Sequence, residues 1–427
     1  MCDKSRRLDK LAAKNFNASF HAARTVFADI ASPIMSSRRI TNLSSYTARN
    51  KVQLIKGGRR YFELLTELIN RAERSLHLQF YIFLDDATGE LVIDALKAAA
   101  RRGVAVCLHI DAYASKELSK QSIAAMREAG VEVKRFEPLL RSRHFYFGRR
   151  LHHKVVVVDG IYSLVGGRNV SDKYNDLPGE PAWMDFAVYC EGEASLGLLR
   201  ICRQLWKNTK YLPGIPEKLL EEFYNKIEVK EHTLVRVSRN DWVKRKNQVY
   251  TSYLGMFRHA EKRITIMCSY FLPGILYRRQ LAKAVKRGVE VRVILAGISD
   301  IMVAKNAERF LYDWMLRNNI GIYEYQPTIL HAKVAVYDGH WATIGSYNVN
   351  NISAHASLEL NLDIKDDRFA TQVQDELDRI IESRCEKITP ENYKRSTNIF
   401  RKLWQRLCYT FINSILKLFT FYFKREE

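Results

Sequence analysis

Twice along the chain, apolar positions with helical spacing give way to an unbroken apolar run. Residues 61–75 carry the helical pattern, and LHLQFYIF (76–83) then reads as a strand. Residues 249–263 repeat the pattern, and ITIMCSYF (264–271) again reads as a strand. The junctions correspond, RAERSLHL from Arg71 against HAEKRITI from His259. A second helix–strand pair follows in each half: LKAAARRGVAVCLHI from Leu96, and LAKAVKRGVEVRVIL from Leu281. A third match is GVEVKRFEP, ending at Pro138, against NIGIYEYQP, ending at Pro327. Gly103 and Gly288 stand where a helix must stop and a buried, Val-rich strand begins. Helix–strand alternation, run through twice, predicts a tandemly duplicated α/β fold with mixed or parallel sheets.

The two ends follow a different pattern. Leu8, Ala12, Phe16, Phe20, Ala23 and Phe27 recur every three or four residues, which predicts one amphipathic helix; Pro33 and the Ser/Arg-rich residues 36–39 then read as linker. Near the other end, Ile399/Phe400, Leu403/Trp404, Leu407/Cys408, Phe411/Ile412, Ile415/Leu416 and Phe419 form an apolar stripe. Arg401, Lys402, Gln405, Arg406, Asn413, Ser414 and Lys417 lie opposite. A basic amphipathic helix with aromatic content suits the lipid interface. The expected organisation is a basic N-terminal segment (1–50), a first repeat (51–215), a second repeat (216–390) and a surface helix (391–427).

Composition narrows the partners. At 427 residues the chain is long enough for two fused cores, and 47% hydrophobic with 27% charged residues indicates a globular body. A net charge of +21 favours polyanions, either nucleic acid or an anionic membrane surface. Seven scattered cysteines, an odd number without a Cys-x-x-Cys pair, argue against a disulfide framework or a zinc site and for a reducing compartment. No basic start followed by an apolar run marks a secretory signal, and no stretch of about 20 residues is continuously apolar.

Each repeat closes on the same string of chemistry-bearing residues. The first is LHHKVVVVDGIYSLVGGRN (151–169) and the second LHAKVAVYDGHWATIGSYN (330–348). On a strand, the spacing of His152 to Lys154 and of His331 to Lys333 puts each pair on one face, whereas His153 faces the other way as a packed or hydrogen-bonded neighbour. Asp159 and Asp338 follow, then a glycine turn and Asn169 or Asn348. These groups suit a phosphodiester. One imidazole can attack phosphorus and a second can protonate the leaving oxygen. Lys154, Lys333, Asn169 and Asn348 can hold the non-bridging oxygens as negative charge shifts. The lysines supply the positive charge, so neither metal nor cofactor is called for. Two half-sites related by a pseudo-two-fold would meet at one phosphate.

These strings resemble the paired HKD motifs of the phospholipase D superfamily. The order of elements over residues 51–390, with the QFYIFLDD start at 79–86, further resembles bacterial cardiolipin synthases, of the type lacking N-terminal transmembrane helices. The resemblance implies an α/β sandwich duplicated in tandem, with sheets flanked by helices and one active site at the pseudo-two-fold interface. It implies His152, Lys154, Asp159, His331, Lys333 and Asp338 as the catalytic set, although the two aspartates are better suited to tying down the motif loop. One histidine forms a phosphohistidine and the other acts as acid, then base; His152 is favoured as nucleophile. A carboxylate after each motif orients its histidine: Glu359 for His331, and Asp185, with Glu180 second, for His152.

The implied activity is phosphatidyl transfer from phosphatidylglycerol, or another phospholipid such as phosphatidylethanolamine, to the hydroxyl of phosphatidylglycerol. Phospholipase D-type hydrolysis and phosphatidylserine synthesis use the same residues. An HKD nuclease is the more distant alternative, because the apolar C-terminal helix has no use in an enzyme of nucleic acid. The amphipathic ends predict a peripheral protein on the cytoplasmic side of the membrane. One chain already holds a complete site, whatever its oligomeric state.

Overall fold

The structure is a computed structural model that describes residues 45–137, 149–206, 216–350, 353–354 and 357–421, with side chains through Ser414. The amphipathic pattern of residues 8–27 and the linker at 33–39 lie outside the described residues.

The first half runs β1 (Asn50–Lys56), α1 (Gly58–Arg71), β2 (Ser75–Phe80), α2 (Ala87–Arg101), β3 (Ala105–Asp111), α3 (Lys120–Glu128), β4 (Glu132–Phe136), β5 (Arg150–Leu151), β6 (Val155–Val158), β7 (Tyr162–Gly166), β8 (Phe186–Gly192), α4 (Glu193–Trp206) and α5 (Glu217–Tyr224). The second half runs β9 (Leu234–Asp241), β10 (Lys246–Asn247), α6 (Gln248–His259), β11 (Arg263–Cys268), α7 (Ile275–Lys286), β12 (Glu290–Ala296), α8 (Met302–Arg309), α9 (Tyr312–Arg317), β13 (Gly321–Tyr325), β14 (Lys333–Tyr337), β15 (Trp341–Gly345), β16 (Ser357–Lys365) and α10 (Asp367–Arg384). It closes with β17 (Cys385–Ile388), α11 (Pro390–Ser396) and α12 (Ile399–Phe421).

The duplication is visible in strand order. The first sheet is ordered β1-β8-β7-β6-β2-β3-β4. The second repeats that order as β9-β16-β15-β14-β11-β12-β13, with β10 and β17 added at its edges. In each, the three strands that alternate with helices pair in parallel, β2–β3–β4 and β11–β12–β13, and the other pairings along these two orders are antiparallel. Gly103 and Gly288 adopt φ values of 91° and 92° just past α2 and α7, the left-handed stop for which glycine is suited.

Both sheets are covered on two faces, which is why their strands read as continuous apolar runs. In β6 the alternation is explicit: Val156 and Val158 enter the core under α1–α3, while Val155 and Val157 enter a central core between the halves. That central core joins Val188 and Leu198 of the first half to Val334, Ile344, Leu360 and Leu362 of the second, under α10. α5 sends Leu220 and Tyr224 into the first half's outer core, so packing of that half continues beyond the break expected at residue 215.

α12 forms as its periodicity predicts, and one edge of its stripe docks on the body. It packs on α8 through Gln405, Cys408, Tyr409 and Ile412, spaced three and four apart. Gln405, expected on the polar face, is buried and accepts a hydrogen bond from Tyr393 at 3.2 Å. Tyr409 stacks against Phe310 at 4.8 Å, and Lys402 pairs with Asp313 at 3.1 Å. Much of the apolar stripe therefore faces outward.

Asp159 and Asp338 occupy matching hairpin turns. Each has positive φ (51° and 52°) and is followed by a glycine with positive φ, the handedness that fits a twisted hairpin. The Asp159 carboxylate accepts the amides of Glu73, Arg74 and Ser75; that of Asp338 accepts those of Glu261, Lys262 and Arg263. These residues fasten the start of β2 and β11 to the motif hairpin. Replacing Asp159 by Ala strands three amides and puts a Cβ-bearing residue without a turn-forming side chain at positive φ. The expected loss is about 2–4 kcal/mol of stability, read as a shift in the denaturant midpoint, and an unchanged midpoint would refute this role.

Candidate active site

The motif histidines are placed by backbone pairings that cross between the halves. β5 runs parallel to β16, with Leu151 opposite Leu358, and the His152 amide donates to the Leu358 carbonyl at 3.1 Å. On the other side Met184 bridges Leu330 in parallel; its amide donates to Ile329 O at 2.8 Å, and the His331 amide donates to Met184 O at 2.8 Å. In both pairings the next residue along each strand is a histidine on one side and a carboxylate on the other.

This register reverses the expected partners. Glu359 Oε2 lies 2.9 Å from His152 Nδ1, and Asp185 Oδ2 lies 2.7 Å from His331 Nδ1. The sequence reading paired each histidine with the carboxylate that follows it in its own half. The parallel pairings instead bring the other half's carboxylate alongside. Glu180, the second candidate for His152, is exposed in a turn where it bridges Leu177. Asp185 and Glu359 are fully buried. A carboxylate on Nδ1 selects the tautomer that leaves Nε2 as the reactive nitrogen.

The residues that back the two carboxylates also differ. Ser346 donates its hydroxyl to Glu359 Oε2. Gly167 stands at the matching position, and a Cβ there would lie 2.4 Å from Asp185 Oδ1 and 2.5 Å from Oδ2. The shorter aspartate thus needs glycine opposite it.

Lys154 and Lys333 are buried beneath the histidines, each donating to the carbonyl of its own motif histidine. Lys333 also donates to Ser269 Oγ at 2.9 Å, and Lys154 lies 5.2 Å from the Tyr81 ring centre. Burial lowers the pKa of both, against the pull of the buried carboxylates. Burial likewise pushes His152 down and His331 down to about 3, where Lys333 adds to the effect and Asp185 opposes it. His153 faces away and meets Gln79 Oε1 at 2.8 Å, as its place on the strand predicts.

His152, His331, Asn169 and Asn348 line one cleft of about 690 Å³. Asn169 is less free than the sequence suggests. Its Oδ1 accepts the Ile82 amide at 3.1 Å and its Nδ2 donates to Tyr174 Oη at 2.8 Å, so only its second N–H is available to a ligand. Asp159 and Asp338 do not line the cleft; their bonds are those of the hairpins.

The sequence reading missed the aromatic walls. Tyr81 packs edge-on against His152 at 4.9 Å, and Tyr174 and Trp183 lie 5.1 and 6.1 Å from His331. Tyr81 belongs to the apolar run after β2 and carried no distinguishing signal. Tyr174 is placed by a short 3₁₀ turn (Asp172–Tyr174), for which no periodicity exists. Among the described residues, no group of three or more His, Cys, Asp or Glu is arranged to hold a metal ion.

Two matching sheets with a His–Lys pair from each at one cleft define a duplicated phospholipase D-like enzyme. The family profile described as "Cardiolipin synthase, PLD-like domain" matches residues 65–186 and again 253–381, and the chain belongs to this family. It is 30% identical to cardiolipin synthase B of Escherichia coli K12 over 353 residues, covering 81% of this chain and 83% of that protein. It is 32% identical to cardiolipin synthase B of Salmonella typhimurium over 346 residues, covering 79% and 82%. A probable cardiolipin synthase of Bacillus subtilis is 28% identical, covering 81% and 69%. Among solved structures, phosphatidylserine synthase of Haemophilus influenzae shares the fold with a TM-score of 0.67 at 13% identity, covering 86% of this chain and 94% of that one. Polyphosphate kinase of Porphyromonas gingivalis does so at 0.55 and 15%, covering 86% and 53%.

The crossed carboxylates give a direct test. Gly167→Ser forces Asp185 away from His331 and is expected to slow turnover at least about tenfold. Ser346→Gly, which leaves the Glu359–His152 bond in place, is expected to cost less. Equal effects in initial-rate measurements on the two variants would refute the steric account.

Proposed function

We propose that this protein is a phosphatidyltransferase that makes cardiolipin from phosphatidylglycerol, through a phosphohistidine on His152. The observation that carries this reading is the pair of histidines facing one cleft, each oriented by a buried carboxylate from the opposite half. His152 Nε2 attacks phosphorus, the bond to the headgroup oxygen breaks, and His331 Nε2 delivers a proton to that oxygen. In the second half-reaction the hydroxyl of a second phosphatidylglycerol gives its proton to His331. Its oxygen then bonds to phosphorus and the N–P bond breaks.

Charge balance supports these roles. Burial lowers the pKa of both histidines, and the flanking lysines and carboxylates pull in opposite directions, so the empty site favours neutral imidazoles. A phosphodiester brings one further negative charge, which a proton on one imidazole balances. In this reading the amide hydrogens of Asn169 and Asn348, which line the cleft, take the growing charge on the non-bridging oxygens, and Lys154 and Lys333, buried behind the histidines and not lining the cleft, add their positive charge from beneath. The motif aspartates serve the loops that carry these groups.

What lies around the cleft supports attachment to a membrane surface. Among the described residues, no helix is long and apolar enough to cross a membrane. Yet Ile399, Phe400, Leu403, Trp404, Leu407 and Phe411 of α12 are each more than half exposed. Ile298, Ile301 and Met302, beside α8, are about half exposed or more; Ile301 and Ile412 also line the cleft. These exposed apolar side chains, with exposed Lys394 and Arg395 on α11 and Arg401 and Arg406 on α12, suit an anionic bilayer from which the lipid substrate enters. The net charge of +21 suits the anionic cytoplasmic leaflet.

Mass spectrometry of lipids tests the reaction in a bacterial host without its own cardiolipin synthases. Cardiolipin is expected with the intact chain and not with a His152→Ala, His331→Ala chain. Phosphatidic acid without cardiolipin would make the protein a hydrolase. For the surface, Leu403→Glu, Leu407→Glu is expected to lower binding to phosphatidylglycerol vesicles at least about tenfold, since each leucine loses its apolar burial. Transfer in detergent micelles is expected to persist. Unchanged vesicle binding would remove α12 from the docking face.

A further inference from the structure

On their open sides the two imidazoles are not equivalent, and the difference there lies in one hydroxyl. Tyr174 is buried, with its ring edge-on to His331 and its Oη 3.5 Å from His331 Nε2. The direction of its proton is determined by its neighbours. The Ile82 amide donates to Asn169 Oδ1, which turns the Asn169 NH₂ toward Tyr174 at 2.8 Å. Asn169 therefore donates to Tyr174 Oη and cannot accept from it. The phenol proton is left for the cleft side, where the neighbouring acceptor is Nε2 of His331, whose Nδ1 proton is held by Asp185. Burial raises the Tyr174 pKa far above its ordinary value, so the hydroxyl stays a donor.

Among the described residues the second half shows no counterpart. Five residues after the motif asparagine stands Tyr174 in the first half and Ser353 in the second. His152 meets a tyrosine ring, that of Tyr81, edge-on at 4.9 Å, and no hydroxyl bonds its Nε2 among the described residues. One imidazole is free to attack phosphorus. The other shares its reactive nitrogen with a fixed O–H donor.

We propose that the Tyr174 hydroxyl positions the alcohol oxygen at His331, holding the departing headgroup oxygen in the first half-reaction and the incoming hydroxyl in the second. This rests on the phosphatidyl-transfer reading above. When His331 is charged, its Nε2–H points at the departing oxygen, and Tyr174 can no longer donate to that nitrogen. Its O–H turns to the same oxygen, which then receives one proton from His331 and one hydrogen bond from Tyr174. The phenol keeps its proton throughout, so atoms and charges balance as in the two-histidine scheme. The ligand class is a primary alcohol of glycerol type, whose alkoxide is a poor leaving group and needs this help.

The test varies the leaving group. The full chain and its Tyr174→Phe variant are given phosphatidylglycerol and, separately, phosphatidyl-p-nitrophenol, whose phenolate leaves without a proton. Single-turnover release is measured for both. Tyr174→Phe is expected to slow release of glycerol about 10–100-fold and to change release of p-nitrophenolate by less than about threefold. Equal slowing of both would overturn the proposal and make Tyr174 a structural neighbour of His331. No slowing of either would overturn it as well. A wild-type chain that releases neither group overturns the transfer reading, and this inference with it. Thermal unfolding of the variant within a few degrees of wild type is the accompanying measurement; a large drop with the leaving-group difference absent counts against the proposal.

Discussion

Two short parallel backbone pairings, β5 on β16 and residue 184 on residue 330, hold the centre of this molecule together. Each carries a histidine from one half and a carboxylate from the other in consecutive register. Separating the halves would therefore strip both imidazoles of their orienting groups at once. It would also expose the central core in which Val155, Val157 and Val188 meet Val334, Ile344 and Leu360. The site is thus not two half-sites brought near each other. Each imidazole–carboxylate pair exists only across the interface, which makes hydrophobic association of the halves a condition for the chemistry.

The duplicated fold was legible because both sheets are covered on two faces. Strands such as VVVV at 155–158 then leave continuous apolar runs, and the glycines at 103 and 288 punctuate them. The histidines and lysines were legible because strand alternation alone puts them on one face. The pairing of carboxylates was not, since the sequence records the order of Asp185 and Glu359 but not which half crosses to meet which. Parallel register between segments more than a hundred residues apart leaves no local signature. The orientation of α12 escaped for a related reason. Its stripe is wide enough to be used on either flank, and the helix docks through Gln405 and Cys408 at the stripe's edge. Aromatic side chains such as Tyr174, set on a 3₁₀ turn, have neither period nor motif to announce them.

Burial controls the electrostatics of the site in a consistent direction. It lowers the pKa of both histidines and both lysines, while Glu359 and Asp185 pull the other way. A group whose pKa is depressed on folding carries a proton less readily than in water, so the empty site favours neutral imidazoles. In the proposed reaction, neutral His152 is the form that attacks. A charged His331 is the form that can protonate a leaving group, and the phosphodiester itself supplies the negative charge that favours it. On this account the substrate completes the acid, and water in the empty cleft meets a site without one.

A two-fold duplicated site faces a difficulty of its own: identical halves would give two identical imidazoles, while in-line displacement requires one to attack and one to protonate. The fold keeps the backbone symmetric and breaks the symmetry in the side chains around it. Gly167 with Asp185 faces Ser346 with Glu359, so the two carboxylates differ in length and in their supporting donors. Tyr174 stands five residues after its motif asparagine, as Ser353 does in the other half, and its hydroxyl lies beside the reactive nitrogen of His331. The first difference adjusts how each imidazole is held. The second adjusts what each meets on its open side, and only that side touches the reacting oxygen. Assigning roles to the two histidines is therefore a question about the open side, and in the proposed reaction a fixed hydroxyl at one nitrogen is what separates acid from nucleophile.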